Sequence, residues 1–253
     1  MKAGDISVPP RMRPAFLFFF ALFLCASVAR AEDLTAEELA GRMAAAVDDG
    51  DSIARVKMST SGAQSIQVRI KSHRSAPRAA AFYEILWPEG RKGEGFVLRR
   101  SSGGGVMGTF KTASGKETEI GAGDMEQSVL GTALAYADVL ENFFRWEKQS
   151  LVGREQIGKT ECVVLESRPG GAASVYGKVR SWIDPKRSVA LRVDKYDKSG
   201  KVARSIKATQ VAKDDTGRHV PAALSVRSGG KTTDVDGVNI RHDVSHAEDV
   251  FAW

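Results

Sequence analysis

Residues 153–160 have the spacing G-x-x-x-x-G-K-T of a phosphate-binding loop. Such a loop cradles phosphate where a strand precedes it and the N-terminal amides of a helix follow it. Here residues 161–165 follow, and their β-branched side chains favour a strand over a helix. The pattern therefore predicts a hairpin between two strands, and it does not predict a nucleotide site.

Histidine and cysteine could supply metal-binding or nucleophilic chemistry, but their spacing favours neither. His242 and His246 lie on either side of Asp243, in a segment that alternates like a strand. Four residues of strand separate two such rings by about 13 Å, which is too far for one ion, so we expect no metal site. Cys162 lies in an apolar run, where we expect a buried and unreactive thiol.

Three aspartates are close enough in sequence to suggest paired carboxylates for acid–base chemistry. Asp184 precedes Pro185, and Asp197 precedes a Lys-Ser-Gly sequence, so both are expected to form turns. Asp194 alternates with apolar residues and is expected to be a solvent-facing charge on a strand. The sequence also contains no G-x-S-x-G nucleophile motif. We therefore predict neither an enzyme nor a bound cofactor.

The N-terminus has the pattern of an export signal. Basic residues precede an apolar run at residues 15–26, which is too short to cross a bilayer comfortably, and small residues flank Arg30. This pattern is typical of a secretory signal peptide over residues 1–31, with an uncleaved anchor helix as the alternative. A lipoprotein signal at Cys25 is rejected because Leu24 before it is too large.

The chain that remains after cleavage, residues 32–253, is weakly basic. The whole sequence has 37 Lys and Arg against 31 Asp and Glu, and residues 1–31 contain four of the former and one of the latter, which leaves a net charge of +3. These charges are scattered and give no reason to expect a nucleic-acid partner. A single cysteine remains, so an intrachain disulfide is excluded.

Apolar periodicity predicts an α+β domain in residues 32–253. Residues 35–38 form a T-x-x-E capping box for a helix that ends at residues 48–50. A second helical stretch is predicted over residues 124–147, with a possible split at Gly131. Alternating runs predict antiparallel strands at residues 52–61, 64–72, 79–86, 95–100, 106–112, 149–152 and 161–167, in a three-stranded meander over 175–211, and at 222–227 and 238–244.

The middle strand of the meander is predicted to place Val189, Leu191 and Val193 on one face of the sheet. An apolar sheet face needs a cover, which the helical stretch supplies. The residues expected between sheet and cover either fill this space as an ordinary core or line a hydrophobic cavity that accepts acyl chains, and periodicity does not separate the two. These residues are Phe96, Leu98, Phe110, Leu134, Tyr136, Leu140, Phe143, Leu191 and Val193.

The order of these segments resembles the LolA-like family of outer-membrane lipoprotein-sorting proteins, over nearly all of the mature chain. Local patterns carry the resemblance, and no single strict motif does. The chain departs from the family at Ala133 and Leu134, where Asp and Phe are usual, and residues 103–112 lack the family's Trp-Tyr-Pro pattern. The matching stretches are the signal peptide followed by LTAEELAGRM at 34–43, WPEGRKGEGFVLR at 87–99, LGTALAYADVL at 130–140, Gly153 and Gly158, CVVLES at 162–167, SWID at 181–184 and LRVDKYDKSGK at 191–201.

The resemblance implies a strongly curved antiparallel sheet, a half-barrel, with helices that cover its concave face. It also implies a periplasmic carrier that binds lipid or lipoprotein acyl chains in a hydrophobic cavity and transports them towards the outer membrane. An inner-membrane transporter and an outer-membrane acceptor would then be its partners. The alternative is a periplasmic regulatory or exporter-associated interaction module with a filled core.

Overall fold

Thirteen strands form one open antiparallel sheet in the computed structural model, which describes residues 34–171, 174–242 and 244–252. The predicted signal peptide lies outside these residues. No helix within them combines the length and the apolar character needed to cross a bilayer. The strands are β1 (Gly50–Thr60), β2 (Ile66–Ser75), β3 (Arg78–Trp87), β4 (Gly95–Arg100), β5 (Val106–Lys111), β6 (Glu117–Ile120), β7 (Lys148–Ile157), β8 (Thr160–Arg168), β9 (Lys178–Asp184), β10 (Val189–Tyr196), β11 (Val202–Lys213), β12 (His219–Ser228) and β13 (Lys231–Arg241).

The strand order is β6-β5-β4-β3-β2-β1-β13-β12-β11-β10-β9-β8-β7. Strands that follow each other in sequence are neighbours, with one exception: β6 and β7 form the two opposite edges. Residues 121–147, which connect them and which we call the crossing segment, must therefore traverse the sheet from one edge to the other. The first and last strands, β1 and β13, pair in the middle and join the two halves.

The hairpin predicted from the phosphate-loop pattern is confirmed. Strands β7 and β8 are antiparallel neighbours, and Ile157 pairs with Thr160 across a connection of two residues. Gly158 has a φ of +61°, a backbone conformation that glycine adopts without strain. Most of the motif is therefore strand, and no helix begins after it.

The first helix, α1 (Ala36–Val47), begins at the predicted capping box. The Glu38 backbone amide donates to the Thr35 hydroxyl at 3.2 Å, and the Thr35 amide donates to the Glu38 carboxylate at 3.0 Å. The two side chains satisfy amide groups that a helix leaves without intrahelical partners. The buried face of α1 carries Leu39, Ala40, Met43 and Ala44.

The helical stretch predicted over residues 124–147, with its split at Gly131 as an alternative, is not a continuous helix and does not form two regular helices. This region contains one short helix, α2 (Ala137–Leu140), and several single 3-10 turns. Leu130 and Gly131 have φ angles of +50° and +83°, which break a right-handed helix. The Ala137 amide donates to the carbonyl of Met125 at 2.9 Å instead of the residue four positions earlier. Apolar spacing here reflects contacts with the sheet and not a continuous helix.

Two hydrophobic clusters lie on the face of the sheet that α1 and the crossing segment cover, which we call the helix-side face. A third cluster lies on the opposite face, the far face, and includes Cys162 and Trp182. Strand β8 shows the alternation: Val163 and Leu165 pack on the helix side, while Cys162 and Val164 pack on the far side. The Cys162 side chain is fully buried, as predicted, and burial raises the pKa of its thiol.

The predicted alternation of β10 is correct for Val189 and Leu191, which share the far face, and wrong for Val193, because the strand contains an irregularity. Its pairing with β9 runs from Ala190 opposite Ile183 directly to Arg192 opposite Trp182, so Leu191 is the extra residue. As a result Leu191 packs in the far-face cluster, whereas Val193 packs against the helix-side cluster.

The expectation that Asp194 faces solvent is also wrong, because its side chain is buried on the far face. Asp194 is 1% exposed and accepts hydrogen bonds from the Arg192 Nε at 3.1 Å and the Ser205 hydroxyl at 2.7 Å. The Arg192 guanidinium stacks on the Trp182 ring, 4.3 Å from its centroid. Asp184 does form the predicted turn, since its carboxylate accepts the backbone amide that follows Pro185 at 2.9 Å.

Candidate functional site

A pocket of about 480 Å³ lies at the β6 edge of the sheet, between that edge and the crossing segment. We call it the edge pocket. Its volume is in the range of small-molecule sites in proteins. Its lining residues are Arg91, Glu94, Phe110, Thr118, Glu119, Ile120, Asp124, Gln127, Ser128, Leu130, Gly131 and Tyr136.

The edge pocket has apolar walls from two sides. Phe110 and Ile120 come from β5 and β6, and Leu130 and Tyr136 come from the crossing segment. The Tyr136 ring meets Phe96 of β4 edge-on, with the ring centroids 5.2 Å apart. Aromatic contacts of this geometry fix the position of a ring beyond simple area burial. The wall formed by Tyr136 is therefore part of the packed core.

Charged residues surround these walls. The Arg91 side chain pairs with Glu94, with a Nε to Oε2 distance of 3.0 Å, and also donates to the Leu130 carbonyl at 3.4 Å. Asp124 accepts from the Gly121 backbone amide at 2.8 Å. Burial raises the pKa of Tyr136, and the negative charges of Asp124 and Glu94 raise it further. The edge pocket therefore combines apolar walls with a negative electrostatic potential.

A buried ionic cluster lies where the crossing segment meets the meander. The two carboxylate oxygens of Asp138 accept from Lys195 Nζ at 2.8 Å, the Tyr176 hydroxyl at 2.7 Å and the Ala135 amide at 2.8 Å, and Arg204 lies 3.1 Å away. Burial opposes ionisation of Asp138, but the charges of Lys195 and Arg204 outweigh it and lower the pKa of this carboxyl. The cluster fastens the crossing segment to the sheet through charge.

Arginine side chains supply further polar contacts between the crossing segment and the rest of the domain. Each donates from its guanidinium to a backbone carbonyl that a regular helix would have used internally. The pairs are Arg91 with Leu130, Arg204 with Ala133, Arg74 with Val139 and Arg100 with Leu140.

The structure brings together six of the nine predicted site residues. They lie in or against one helix-side cluster, and two of them also line the edge pocket. Phe143 and Val193 lie in or against the other helix-side cluster, and Leu191 lies on the far face, away from both. The six are Phe96, Leu98, Phe110, Leu134, Tyr136 and Leu140, of which Phe110 and Tyr136 line the pocket.

His242 lies close to the carboxylates of Asp49, Asp214 and Asp215. His242 Nδ1 is 2.9 Å from Asp215, and its Nε2 is 2.9 Å from Asp49. Asp214, Asp215 and His242 offer ligand atoms within 4.8 Å of one another. The Arg218 guanidinium is 3.0 Å from His242 Nε2 and 3.1 Å from Asp214, so a protein cation already sits among these groups.

Sequence reasoning missed the charged residues of the site. Arg91 and Glu94 lie in a stretch whose Pro and Gly residues predict a turn, and that signal says nothing about a pocket. Lys195 and Arg204 are charged residues within strand sequences, and they were not singled out from the sequence. Their burial follows from the position of Asp138, which a one-dimensional pattern does not contain.

Comparison with known proteins identifies a matching family model and solved structures with the same fold. The family model described as "Uncharacterized protein" matches residues 78–252. No curated protein matches the chain.

Solved structures share the fold over most of the chain. A DUF1329 family protein from Desulfovibrio piger has a TM-score of 0.77 and 21% identity, over 85% of this chain and 95% of the other. A domain from Vibrio parahaemolyticus, described as an outer membrane lipoprotein-sorting protein, has a TM-score of 0.75 and 20% identity, over 85% and 95%. A LolA superfamily protein from Nitrosomonas europaea has a TM-score of 0.65 and 14% identity, over 87% and 98%. The chain therefore has a LolA-like fold and belongs to the family described as "Uncharacterized protein".

Proposed function

We propose that this protein is a periplasmic carrier that holds the acyl chain of a lipid or lipoprotein in the edge pocket and transports it towards the outer membrane. The observation that carries the proposal is the edge pocket itself, a space between the sheet and the crossing segment in which apolar walls from Phe110, Ile120 and Leu130 adjoin polar and charged side chains. The signal peptide over residues 1–31, the half-barrel curvature of the sheet and the absence of catalysis are parts of the same proposal.

The names of structurally similar proteins support this choice. The Vibrio domain is described as a lipoprotein-sorting protein, and the Nitrosomonas protein is assigned to the LolA superfamily. Their sequence identities of 20% and 14% support a common fold, and the ligand has to be argued from the site.

Burial of an acyl chain would supply the binding free energy. Each CH₂ group removed from water contributes about 0.8 kcal/mol, so a single chain can bind firmly without polar contacts. Phe96, Leu98 and Leu140 are almost completely buried beneath the edge pocket and fill the adjoining space. A ligand larger than the edge pocket would have to displace the crossing segment, as lids are displaced in other proteins.

The crossing segment is suited to such a movement. Its contacts with Arg74, Arg91 and Arg100 are partly buried hydrogen bonds to backbone carbonyls, which water can replace when the segment lifts. The Asp138 cluster then acts as the stronger attachment, because its charges are buried. We expect loading to open the part near Leu130 before the part near Asp138.

Native mass spectrometry of residues 32–253, purified from a bacterial periplasm, tests the proposal. We expect a ligand-sized excess mass that disappears after organic extraction, and uptake of an offered phospholipid or acylated peptide by the extracted protein. A bare polypeptide mass together with no uptake would contradict the proposal.

A pair of variants on β5 assigns any binding to the edge pocket. Phe110→Glu places a carboxylate on the wall, and Met107→Glu places one on the same strand at a side chain that is 63% exposed. We expect the Phe110 variant to bind a neutral lipophilic dye about tenfold more weakly or worse. The Met107 variant should bind like the parent, and circular dichroism should show that both are folded.

The interaction module is the second candidate function. The almost complete burial of Phe96, Leu98 and Leu140 favours it, since this part of the space between sheet and crossing segment is filled. It predicts that Phe110→Glu still captures a membrane protein from an exporter or a regulatory complex. Loss of that capture together with loss of lipid binding would instead favour the carrier.

A further inference from the structure

We propose that the edge pocket selects single-chain amphiphiles whose head group carries a positive charge, such as an ammonium group. This inference rests on the proposed function, because it adds a head-group preference to the same pocket. It follows from the charges around the apolar walls and from the aromatic side chains within them.

Carboxylates outnumber cations in the edge pocket. Glu94, Glu119 and Asp124 face one guanidinium, that of Arg91. Glu94 already neutralises Arg91, through hydrogen bonds to its Nε and Nη2 atoms, and the Leu130 carbonyl takes part of the remaining donor capacity. Little positive charge is therefore left to bind an anionic head group.

The other two carboxylates keep their charge available. Asp124 accepts hydrogen bonds from the Gly121 backbone amide at 2.8 Å and the Gln127 side-chain amide at 2.6 Å, and both donors are neutral. Glu119 lies on the edge strand β6 with an exposed side chain. Within the part of the chain that the structure describes, no cationic side chain pairs with Asp124 or Glu119. A ligand cation can therefore supply their missing counter-charge.

The walls next to these carboxylates suit a cation as well as an apolar chain. Tyr136 and Phe110 are aromatic, and the faces of aromatic rings attract ammonium groups. Burial raises the pKa of the Tyr136 hydroxyl, and the negative potential of the same carboxylates, Asp124 and Glu94, raises it further. A phosphate or carboxylate head group would meet the same potential with the opposite sign, which disfavours binding.

The test compares three amphiphiles with the same twelve-carbon chain, each below its critical micelle concentration. Dodecyltrimethylammonium is cationic, dodecyl maltoside is neutral and dodecanoate is anionic. Displacement of a neutral lipophilic dye from residues 32–253 reports their affinities. We expect the cation to bind about tenfold more tightly than the anion at low ionic strength, and this ratio should fall as salt is added.

Charge-removing variants assign the preference to residues. Glu119→Gln and Asp124→Asn should each reduce the ratio of cation to anion affinity several-fold. Glu126→Gln is the matched control, because Glu126 is an exposed residue of the crossing segment that does not line the edge pocket. Glu119 is exposed, so its variant is expected to fold even if the Asp124 variant does not.

The outcomes separate this inference from the proposed function. If none of the three amphiphiles displaces the dye, both the carrier and the head-group preference are wrong. If all three bind equally, or dodecanoate binds best, the carrier proposal stands and the preference for a cation is overturned. If the control variant lowers the ratio as much as the pocket variants do, the preference comes from the general charge of the surface and the inference is also overturned.

Discussion

Asp138 is the residue on which the attachment of the crossing segment depends most. Its side chain is 2% exposed, and it meets Lys195, which is 3% exposed, and Arg204, which is 9% exposed. Removal of one partner from a buried ionic group leaves the other charges without compensation, and the cost is about 3–5 kcal/mol. We therefore expect Asp138→Asn to lower the free energy of unfolding by this amount in urea denaturation at neutral pH.

An exposed aspartate provides the control for this measurement. Asp234→Asn on β13 makes the same chemical change at a solvent-exposed site and should alter the free energy of unfolding by no more than about 0.5 kcal/mol. The folded state lowers the pKa of Asp138, so its stabilising contribution is present at neutral pH and is lost as the pH falls through the lowered value. The difference between parent and Asp138→Asn should shrink accordingly in acid. Equal losses for the two variants at neutral pH would refute the role of Asp138.

His242 makes contacts whose stabilising effect changes with pH in the direction opposite to that of Asp138. Both ring nitrogens lie 2.9 Å from carboxylates, those of Asp49 and Asp215, so both can donate only when the imidazole is protonated. Burial lowers the pKa of His242, but hydrogen bonds to Asp215 and Asp49 outweigh this and raise it, against the opposing charge of Arg218. Asp214 also faces the ring, at 3.7 Å.

The stabilisation from His242 is fully present below the unfolded-state value of about 6.5 and is lost as the pH rises through the raised folded value. We expect the free energy of unfolding of the parent to exceed that of His242→Gln at pH 6 and the gap to narrow as the pH is raised through the titration of His242. His219→Gln, at the start of β12, serves as the comparison. A gap that widens with pH would show that His242 is neutral in the folded protein.

At the scale of elements, hydrogen bonds from arginine side chains and the ionic cluster of Asp138 attach the crossing segment to the sheet. Arg100 donates to the Leu140 carbonyl at 2.7 Å and to the Pro77 carbonyl at 3.2 Å. A hydrogen bond to a charged group contributes about 1.5–3 kcal/mol, so Arg100→Ala should let α2 open more often. Hydrogen–deuterium exchange should become about tenfold faster in residues 137–140 and stay unchanged in β12. Arg154→Ala, at an exposed site on the edge strand β7, should leave both regions unchanged.

The strands were predictable because half-buried strands alternate with a period of two, as Ile66 and Val68 do in β2. The start of α1 was predictable because the capping box at Thr35 is a local signal. The crossing segment was not predictable in detail. Its apolar spacing fits a helix, whereas Leu130 adopts a left-handed conformation because contacts with the sheet outweigh helix propensity. The extra residue at Leu191 likewise appears only once β9 and β10 are paired.

The same limit applies to the candidate site. Phe110 and Tyr136 could be named from the sequence because apolar residues on a sheet face and on its cover must meet. Glu119 could not, since β6 is a strand of four residues with one buried position and gives almost no periodic signal. Pocket charges depend on which turns and edges fold back onto one another, and that information is not local in the sequence.

At the scale of the whole molecule, the pairing of β1 with β13 decides whether the sheet is continuous. Residues Ile53 to Thr60 pair with Arg241 to Thr233, and without this ladder the sheet separates into a β6–β1 half and a β13–β7 half. Thr233 is fully buried and connects three elements: its hydroxyl meets Thr60 of β1 at 2.8 Å and accepts the Ala133 amide of the crossing segment at 2.9 Å.

Two truncations test this central position of β13. A chain that ends at residue 228 lacks β13 and exposes two long strand edges, β1 and β12, which are templates for association with other chains. We expect it to lose cooperative unfolding and to aggregate in size-exclusion chromatography. A chain that ends at residue 242 keeps every strand and should unfold cooperatively, with the edge pocket and dye binding intact. A monomeric and cooperatively folding chain without β13 would mean that the two halves of the sheet are independently stable, and the crossing segment would then have to be the element that holds them together.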